Sequence, residues 1–178
     1  MPARWQDYAM ENQKLALRAQ LKSQRPQSSE GLTQQLLKLV EKLSPKTIAS
    51  YQPLPGEPDL SEFNELASKH FLVLYPRVIG ENLEFASGDL RPGAFSISEP
   101  AGEATAEIDL VLVPALAADV KGNRLGKGKG FYDRFLAGFA GKAYAIVFDQ
   151  ELLPEVPTDS HDQRVNGVIT PKRIVEVD

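Results

Sequence analysis

The sequence predicts one α/β domain, residues 1–178, in which a mainly parallel sheet carries helices on both faces. The first observation is a set of apolar runs, such as Ile108-DLVLV-Pro114, whose length and composition are typical of strands buried on both sides. The second is that helical patterns alternate with these runs, which is the order that parallel βαβ units produce. Ligands of such sheets lie at the carboxyl ends of strands, so polar motifs that follow a strand are candidate site residues.

Four helical segments are predicted from periodicity and from start and stop signals. In the second, apolar residues repeat every three or four positions until a proline ends the pattern. In the third, Asp59 and Glu62 have the spacing of a capping box. In the fourth, Phe131, Phe135 and Phe139 share one face. The predicted helices cover residues 4–22, 29–43, 59–69 and a short segment that begins near Gly130.

Strands are predicted where apolar runs are too short for helices. Between the first strand and the third helix, the segment QPLPGEPD contains three prolines and excludes regular structure. Near the end of the chain, Thr170 and Pro171 are expected to cap a terminal turn. The predicted strands cover residues 47–51, 70–76, 108–114, 143–149 and 167–171, with weaker edge or loop candidates at 82–88 and 93–98.

Composition narrows the classes of function. The formal net charge is -4, so no general basic field attracts nucleic acid, and any anion site must be local. The chain has no cysteine, which excludes disulfides, thiolate metal sites and a cysteine nucleophile. No segment has the apolar character of a signal peptide or a membrane span. A cytoplasmic protein without membrane or nucleic-acid partners is therefore expected.

The segment from Asp119 to Arg134 joins flexible backbone to dense positive charge. Gly126, Gly128 and Gly130 alternate with lysines, and five cationic side chains lie within residues 121–134. Glycines let backbone N–H groups approach an anion, and a helix that begins near Gly130 would add further N–H donors. The spacing fits neither the P-loop nor the dinucleotide-binding glycine motif. Two interpretations stay open at this point, a phosphate site and a solvated basic turn.

Lys14 and Arg18 form a second basic feature. Residues four apart share one helix face, where like charges repel by roughly 0.2–0.5 kcal/mol. On these residues alone a solvated helix face is favoured over an anion site.

Several ordered motifs resemble the 5-formyltetrahydrofolate cyclo-ligase family, also called 5,10-methenyltetrahydrofolate synthetases. The longest is LVPALAADVKGNRLGKGKGFYDRFL, residues 112–136, which is similar to the family pattern LVPGLAFDxxGxRLGxGxGYYDRxL. The resemblance extends over nearly the whole chain. The other matching segments are KLALRAQLKSQR (14–25), YQPLPGEPD (51–59), LYPRV (74–78), ISEP (97–100) and PTDSHDQRVNGVIT (157–170).

The resemblance implies an activity, a fold and ligands. The fold would be a Rossmann-like three-layer domain similar to NagB, RpiA and the CoA transferases. The activity would be the ATP- and Mg²⁺-dependent conversion of 5-formyltetrahydrofolate to 5,10-methenyltetrahydrofolate, with ADP and phosphate as products. ATP would phosphorylate the formyl oxygen, and N10 would then attack the activated carbon. ATP and the folate would be the partners, and a monomer is expected while an oligomer stays open.

The family's functional positions carry over to named residues of this chain. Arg124 and Lys129 would act on the triphosphate in catalysis, and Asp133 and Asp162 would bind Mg²⁺, since carboxylate oxygens are its preferred ligands. Residues implied for ATP are Lys14, Arg18, Arg124, Gly126, Lys127, Gly128, Lys129, Gly130, Phe131 and Tyr132. Residues implied for the folate are Tyr51, Glu57, Phe95 and Tyr132, with Glu57 accepting two parallel hydrogen bonds from the pterin ring.

Without the resemblance, these residues have simpler interpretations. Asp133 could be a charge that complements a helix N-terminus, Asp162 a loop carboxylate, Glu57 a solvated acid and Phe95 a core residue. Two alanines, Ala115 and Ala118, stand where the family pattern has glycine and phenylalanine, so substrate fit stays open. A binding protein without turnover and an enzyme for another formyl or carboxyl substrate are the alternatives.

Overall fold

The computed structural model describes residues 3–26, 28–93 and 98–177. A seven-stranded sheet forms the centre, with the strand order β12-β11-β9-β6-β1-β2-β3. Its strands are β1 Thr47–Ala49, β2 Leu72–Ile79, β3 Asn82–Ala86, β6 Leu110–Pro114, β9 Lys142–Ile146, β11 Gly167–Ile169 and β12 Ile174–Glu176. The five inner strands are parallel, whereas β3 and β12 run antiparallel at the two edges.

Two smaller sheets complete the strand content of the described residues. One has the order β10-β7-β8 and consists of β7 Ala117–Asp119, β8 Arg124–Leu125 and β10 Leu152–Leu153. The other pairs β4 Leu90–Pro92 with β5 Ser98–Pro100. The described residues form four α-helices: α1 Ala3–Gln24, α2 Leu32–Leu43, α3 Ser61–Ala67 and α4 Phe131–Leu136. The first two precede β1, whereas α3 connects β1 to β2 and α4 connects β8 to β9.

The alternation of side chains along the parallel strands divides the core into two layers. Ile48, Leu110 and Leu112 face α2 and α3, which contribute leucines and Phe63 to one cluster. The neighbouring positions, including Val111, face α4 on the other side of the sheet. These strands are apolar at successive positions because both faces are covered. The predicted mixed α/β fold with a mainly parallel sheet and helices on both faces is therefore confirmed.

Helix α1 packs outside these layers, against the β10-β7-β8 sheet. Its residues Leu17 and Leu21 form a third cluster with Leu116, Leu125 and Val156. None of the helices in the described ranges combines the length and the apolar character that crossing a bilayer requires.

Several predicted boundaries were wrong for identifiable reasons. Helix α2 begins three residues after the predicted Ser29, because Gly31 adopts left-handed backbone before it. Helix α3 has no side-chain cap, and Asp59 instead accepts a hydrogen bond from the N–H of Ser61. The predicted terminal turn at Thr170 is a hairpin turn that leads into β12.

Candidate functional site

A cavity of about 280 Å³ opens at the carboxyl ends of the central strands. Pro114 ends β6 and Tyr51 follows β1, and both line the cavity. The glycine-rich segment 126–130 lies on one side and the 51–57 loop on another. The site thus forms where parallel sheets usually bind ligands.

The glycine-rich segment follows the β7–β8 hairpin and ends at α4. Gly128 and Gly130 have φ angles of 95° and 68°, which glycine adopts without the strain that a Cβ would cause. The Arg18 side chain of α1 packs against this turn, since a Cβ added to Gly128 would lie 3.5 Å from the guanidinium carbon. Helix α4 has only six residues, so its dipole adds less to an anion site than the sequence suggested.

Helix α1 presents both of its predicted basic residues to the cavity. Lys14 is only 4% exposed, and its Nζ lies 2.5 Å from Oδ2 of Asp159 and 2.5 Å from Oδ2 of Asp162. Burial opposes its charge, but the hydrogen bonds to the two aspartates raise the pKa of Lys14 above its usual value. Arg18 donates from Nε to the carbonyl of Gly126 at 3.0 Å. The solvated-face interpretation of this pair was wrong.

Arg124 and Asp133 form a second ion pair in the wall. Nη2 of Arg124 lies 2.7 Å from Oδ1 of Asp133, which also accepts the N–H of Gln163 at 3.1 Å. Burial lowers the pKa of the Arg124 guanidinium, and the charges of Asp133 and Asp162 oppose that effect. Nε of Arg124 is buried without a hydrogen-bond partner among the described residues. A buried donor of this kind suits a ligand oxygen.

Glu57 is a buried carboxylate with two partners. Its side chain is 7% exposed, and Oε1 lies 2.5 Å from Nζ of Lys127. Oε2 accepts the N–H of Leu54 at 2.8 Å. The prediction that this glutamate faces a ligand is consistent with its place in the cavity wall, and the solvated interpretation was wrong.

Two tyrosines stand next to Glu57. Burial raises the pKa of both Tyr51 and Tyr132, and the negative charge of Glu57 raises it further. Both phenols therefore stay neutral near pH 7. The Tyr51 hydroxyl donates weakly to the carbonyl of Pro58 at 3.4 Å. The Tyr132 hydroxyl is buried and has no partner in the described ranges. It is a second polar atom that a ligand could satisfy.

Asp133 and Asp162 provide oxygens suited to a hard cation. Their hydrogen bonds engage Oδ1 of Asp133 and Oδ2 of Asp162, and leave the other oxygen of each without a hydrogen bond to a described residue. Although burial opposes ionisation, hydrogen bonds from Lys14 and the Asp159 N–H lower the pKa of Asp162. An ionised carboxylate with an available oxygen is a chemically suitable ligand for Mg²⁺.

The structure brings the predicted residues together. Every predicted site residue in the described part of the chain lines the cavity. Phe95 lies outside the described residues. Ala115, one of the two departures from the family pattern, lines the cavity, whereas Ala118 is buried in β7.

Sequence reasoning missed three features of the site. Asp159 shares Lys14 with Asp162, and the three-residue spacing of the two aspartates was the available signal. The two carboxylates and the His161 imidazole form a group in which the atoms able to coordinate a metal ion lie within 4.8 Å of one another. The ion pair between Lys127 and Glu57 joins segments 70 positions apart in sequence, which no local pattern predicts.

Comparisons with known proteins agree with this geometry. The sequence pattern of the 5-formyltetrahydrofolate cyclo-ligase family matches residues 9–171. A 5-formyltetrahydrofolate cyclo-ligase of Mycolicibacterium smegmatis is 39% identical over 149 residues, which span 74% of this chain and 77% of the relative.

Two solved structures are similar over most of their length. The NMR structure of 5,10-methenyltetrahydrofolate synthetase from Aquifex aeolicus has a TM-score of 0.79 and 28% identity, and covers 92% of each chain. A 5,10-methenyltetrahydrofolate synthetase from Mycoplasma pneumoniae has a TM-score of 0.69 and 26% identity, and the match covers 88% of this chain and 97% of that one. This chain therefore belongs to the 5-formyltetrahydrofolate cyclo-ligase family.

Proposed function

We propose that this protein converts 5-formyltetrahydrofolate to 5,10-methenyltetrahydrofolate, with ATP consumed and ADP and phosphate released. The observation that carries the proposal is the meeting of two kinds of group in one cavity. One side has the glycine-rich segment with cations that suit a triphosphate. The other has a buried carboxylate, Glu57, that suits the donors of a pterin ring.

ATP serves in this reaction to convert a poor leaving group into a good one. A formamide oxygen leaves poorly, so the terminal phosphoryl group of ATP is transferred to it and ADP departs. N10 of the folate then attacks the activated carbon and loses its proton, the C–O bond breaks, and phosphate leaves as the methenyl bridge closes. Phosphoryl transfer depends mainly on positioning and on stabilisation of charge.

The triphosphate is assigned to the glycine-rich segment and α1. Gly126, Gly128 and Gly130 line the cavity, and their backbone N–H groups are assigned as donors to phosphate oxygens. Arg124 and Lys129 are assigned to the transferred group. For Arg124 the support is its buried Nε, which has no partner among the described residues. The remaining contacts to ATP are assigned to Lys14, Arg18, Lys127, Phe131 and Tyr132, all of which line the cavity.

The folate is assigned to the side of the cavity that holds Glu57, Tyr51 and Tyr132. The Glu57 carboxylate recognises the amino group and the adjacent N–H of the pterin. Because the pKa of Tyr132 is raised, its hydroxyl acts as a hydrogen-bond donor and not as a base. Phe95 keeps its assignment to this pocket from the sequence resemblance alone.

Asp133 and Asp162 are assigned to Mg²⁺. When bound, the ion supplies positive charge to the phosphate oxygens and lowers the barrier to phosphoryl transfer. The residues of the chain hold these carboxylates in place, because Arg124 and Gln163 fix Asp133 while Lys14 fixes Asp162.

We assign the fold to the Rossmann-like group that includes NagB, RpiA and the CoA transferases, because its parallel strands carry helices on both faces. Residues 1–178 are proposed to form one domain, because the core clusters on both faces share the central sheet. A monomer is proposed, while an oligomer stays open. A cytoplasmic location, expected from the sequence, is also proposed.

The test uses purified protein with ATP, Mg²⁺ and 5-formyltetrahydrofolate. The methenyl product absorbs in the near ultraviolet, so absorbance should rise only when all three are present, with one ADP released per product. Folded protein that gives no ATP-dependent rise, beside an active control enzyme, would refute the proposal. Folate binding without ADP release would instead indicate a binding protein, and ADP release without the methenyl product would indicate another substrate.

A further inference from the structure

Lys127 links the two sides of the cavity. Its Nζ lies 2.5 Å from Oε1 of Glu57, although it belongs to the glycine-rich segment assigned to the triphosphate. The acid that is assigned to the folate is therefore paired with a cation from the other subsite. The two subsites share one ammonium group.

The two partners differ in their freedom to move. Glu57 is 7% exposed and its second oxygen is held by the N–H of Leu54, while its own N–H donates to the Leu54 carbonyl at 2.9 Å. The Lys127 side chain is 44% exposed and stands between Gly126 and Gly128. A lysine has a flexible four-carbon stem, so the ammonium can change partner while the carboxylate stays in place.

Each ligand competes with one partner of this ion pair. A pair of parallel donors on the folate needs both oxygens of Glu57. Oε2 accepts the neutral N–H of Leu54 and keeps a second acceptor site, whereas Oε1 is paired with the charged ammonium of Lys127, which competes with the donor of the folate. A bound triphosphate offers Lys127 several negative oxygens close to its own backbone. Removing Lys127 from Glu57 leaves a buried carboxylate without its counter-charge and with Oε1 unpaired, which favours the donors of the folate.

We infer that Lys127 couples the binding of the two substrates by exchanging Glu57 for phosphate oxygens when the nucleotide binds. This inference rests on the proposed function and adds a positioning role that acts through Glu57. Nucleotide binding releases Oε1 of Glu57 and tightens folate binding. By linkage, the folate tightens nucleotide binding by the same factor.

The experiment measures a coupling factor by titration calorimetry. The dissociation constant of 5-formyltetrahydrofolate is determined with and without a non-hydrolysable ATP analogue and Mg²⁺. In the wild type, we expect the analogue to tighten folate binding by about tenfold, within the usual range of such couplings. In Lys127→Met the factor falls to about one, whereas Lys127→Arg retains most of it.

Lys121→Met is the matched control, because Lys121 is an exposed lysine that pairs with Glu155 outside the cavity. It should leave the coupling factor unchanged. If Lys127 only supported Glu57 structurally, Lys127→Met would weaken folate binding equally with and without nucleotide. That result, or equal coupling in the wild type and Lys127→Met, would overturn the inference.

The same titrations separate the two levels of the proposal. A wild-type protein that binds neither ligand refutes the proposed function and this inference together. A wild-type protein that binds and turns over both substrates, but whose binding shows no coupling, refutes this inference alone.

Discussion

Replacement of Arg25 by methionine is expected to lower the free energy of unfolding by about 3–5 kcal/mol, the usual loss when one partner of a buried ion pair is removed. Arg25 lies just beyond the end of α1 and pairs with Glu151, with side-chain exposures of 8% and 2%. The loss is large because the remaining carboxylate stays buried without its counter-charge. The same residue connects α1 to the wall of the cavity.

The magnitude follows from the individual contacts. Nε of Arg25 lies 2.6 Å from Oε1 of Glu151, Nη2 lies 3.2 Å from Oε2, and Nη2 also donates to the Ala115 carbonyl at 2.8 Å. The guanidinium also lies 5.6 Å from the centre of the Phe148 ring. Hydrogen bonds to charged groups contribute about 1.5–3 kcal/mol each, so two of them account for most of the predicted loss.

A double-mutant cycle in urea, followed by circular dichroism, tests this reasoning. Glu151→Gln keeps an acceptor for the Phe148 N–H, which now donates to Oε2 at 3.0 Å, and removes the buried negative charge. The double variant should therefore lose less stability than the sum of the two single variants, by about 0.5–3 kcal/mol. Arg173→Met, at an exposed arginine, is the control and should change stability by no more than about 0.5 kcal/mol. Additive effects, or a loss below about 1 kcal/mol for Arg25→Met, would refute the argument.

Three further predictions separate the roles assigned within the cavity. Glu57→Gln should raise the KM for the folate by about tenfold, and Lys129→Ala should likewise raise the KM for ATP, because each change removes a charged hydrogen-bonding group. Steady-state kinetics in which both variants affect both substrates equally would contradict this. Gly128→Ala places a Cβ at φ 95°, which costs about 1–2 kcal/mol, and should weaken ATP binding measured by calorimetry. Gly138→Ala, whose Cβ would meet no atom within 4 Å, is its control, and equal effects of the two would show that the glycine turn is not special. Tyr132→Phe should leave the melting temperature nearly unchanged, because the hydroxyl lacks a partner among the described residues. The kcat/KM should fall about tenfold, because the ligand loses a hydrogen bond from this hydroxyl. A large loss of thermal stability would show that the hydroxyl supports the fold instead.

The sequence predicted the central sheet well because its strands are buried on both faces. Leu110–Pro114 and Lys142–Ile146 are apolar at nearly every position, and such runs leave few alternatives to a parallel strand. The short strands Ala117–Asp119 and Arg124–Leu125 escaped prediction. Their pairing depends on Asp119, whose buried carboxylate accepts the N–H groups of Lys121 and Asn123 inside the hairpin. A turn of this kind is specified by side-chain hydrogen bonds and not by hydrophobic periodicity.

The cations of the site were predictable from the sequence, but their partners were not. Lys14 meets Asp162 across 148 positions of sequence, a contact that depends on the complete fold. Local patterns therefore indicated dense positive charge in the glycine-rich segment, whereas the structure pairs Lys14, Arg124 and Lys127 with carboxylates.

This pairing affects what the cavity can bind. A polyanion alone would compete with Asp162, Asp133 and Glu57 for their cations and would leave partly buried carboxylates without partners, which is costly. A ligand set that supplies anions to the lysines and arginines, and also donors or a divalent cation to the carboxylates, satisfies every group. ATP, Mg²⁺ and a pterin together form such a set, whereas inorganic phosphate does not. The charge arrangement thus favours the complete set of reactants over any one of them, which is the selectivity that an ATP-dependent ligase requires if it is to avoid futile hydrolysis.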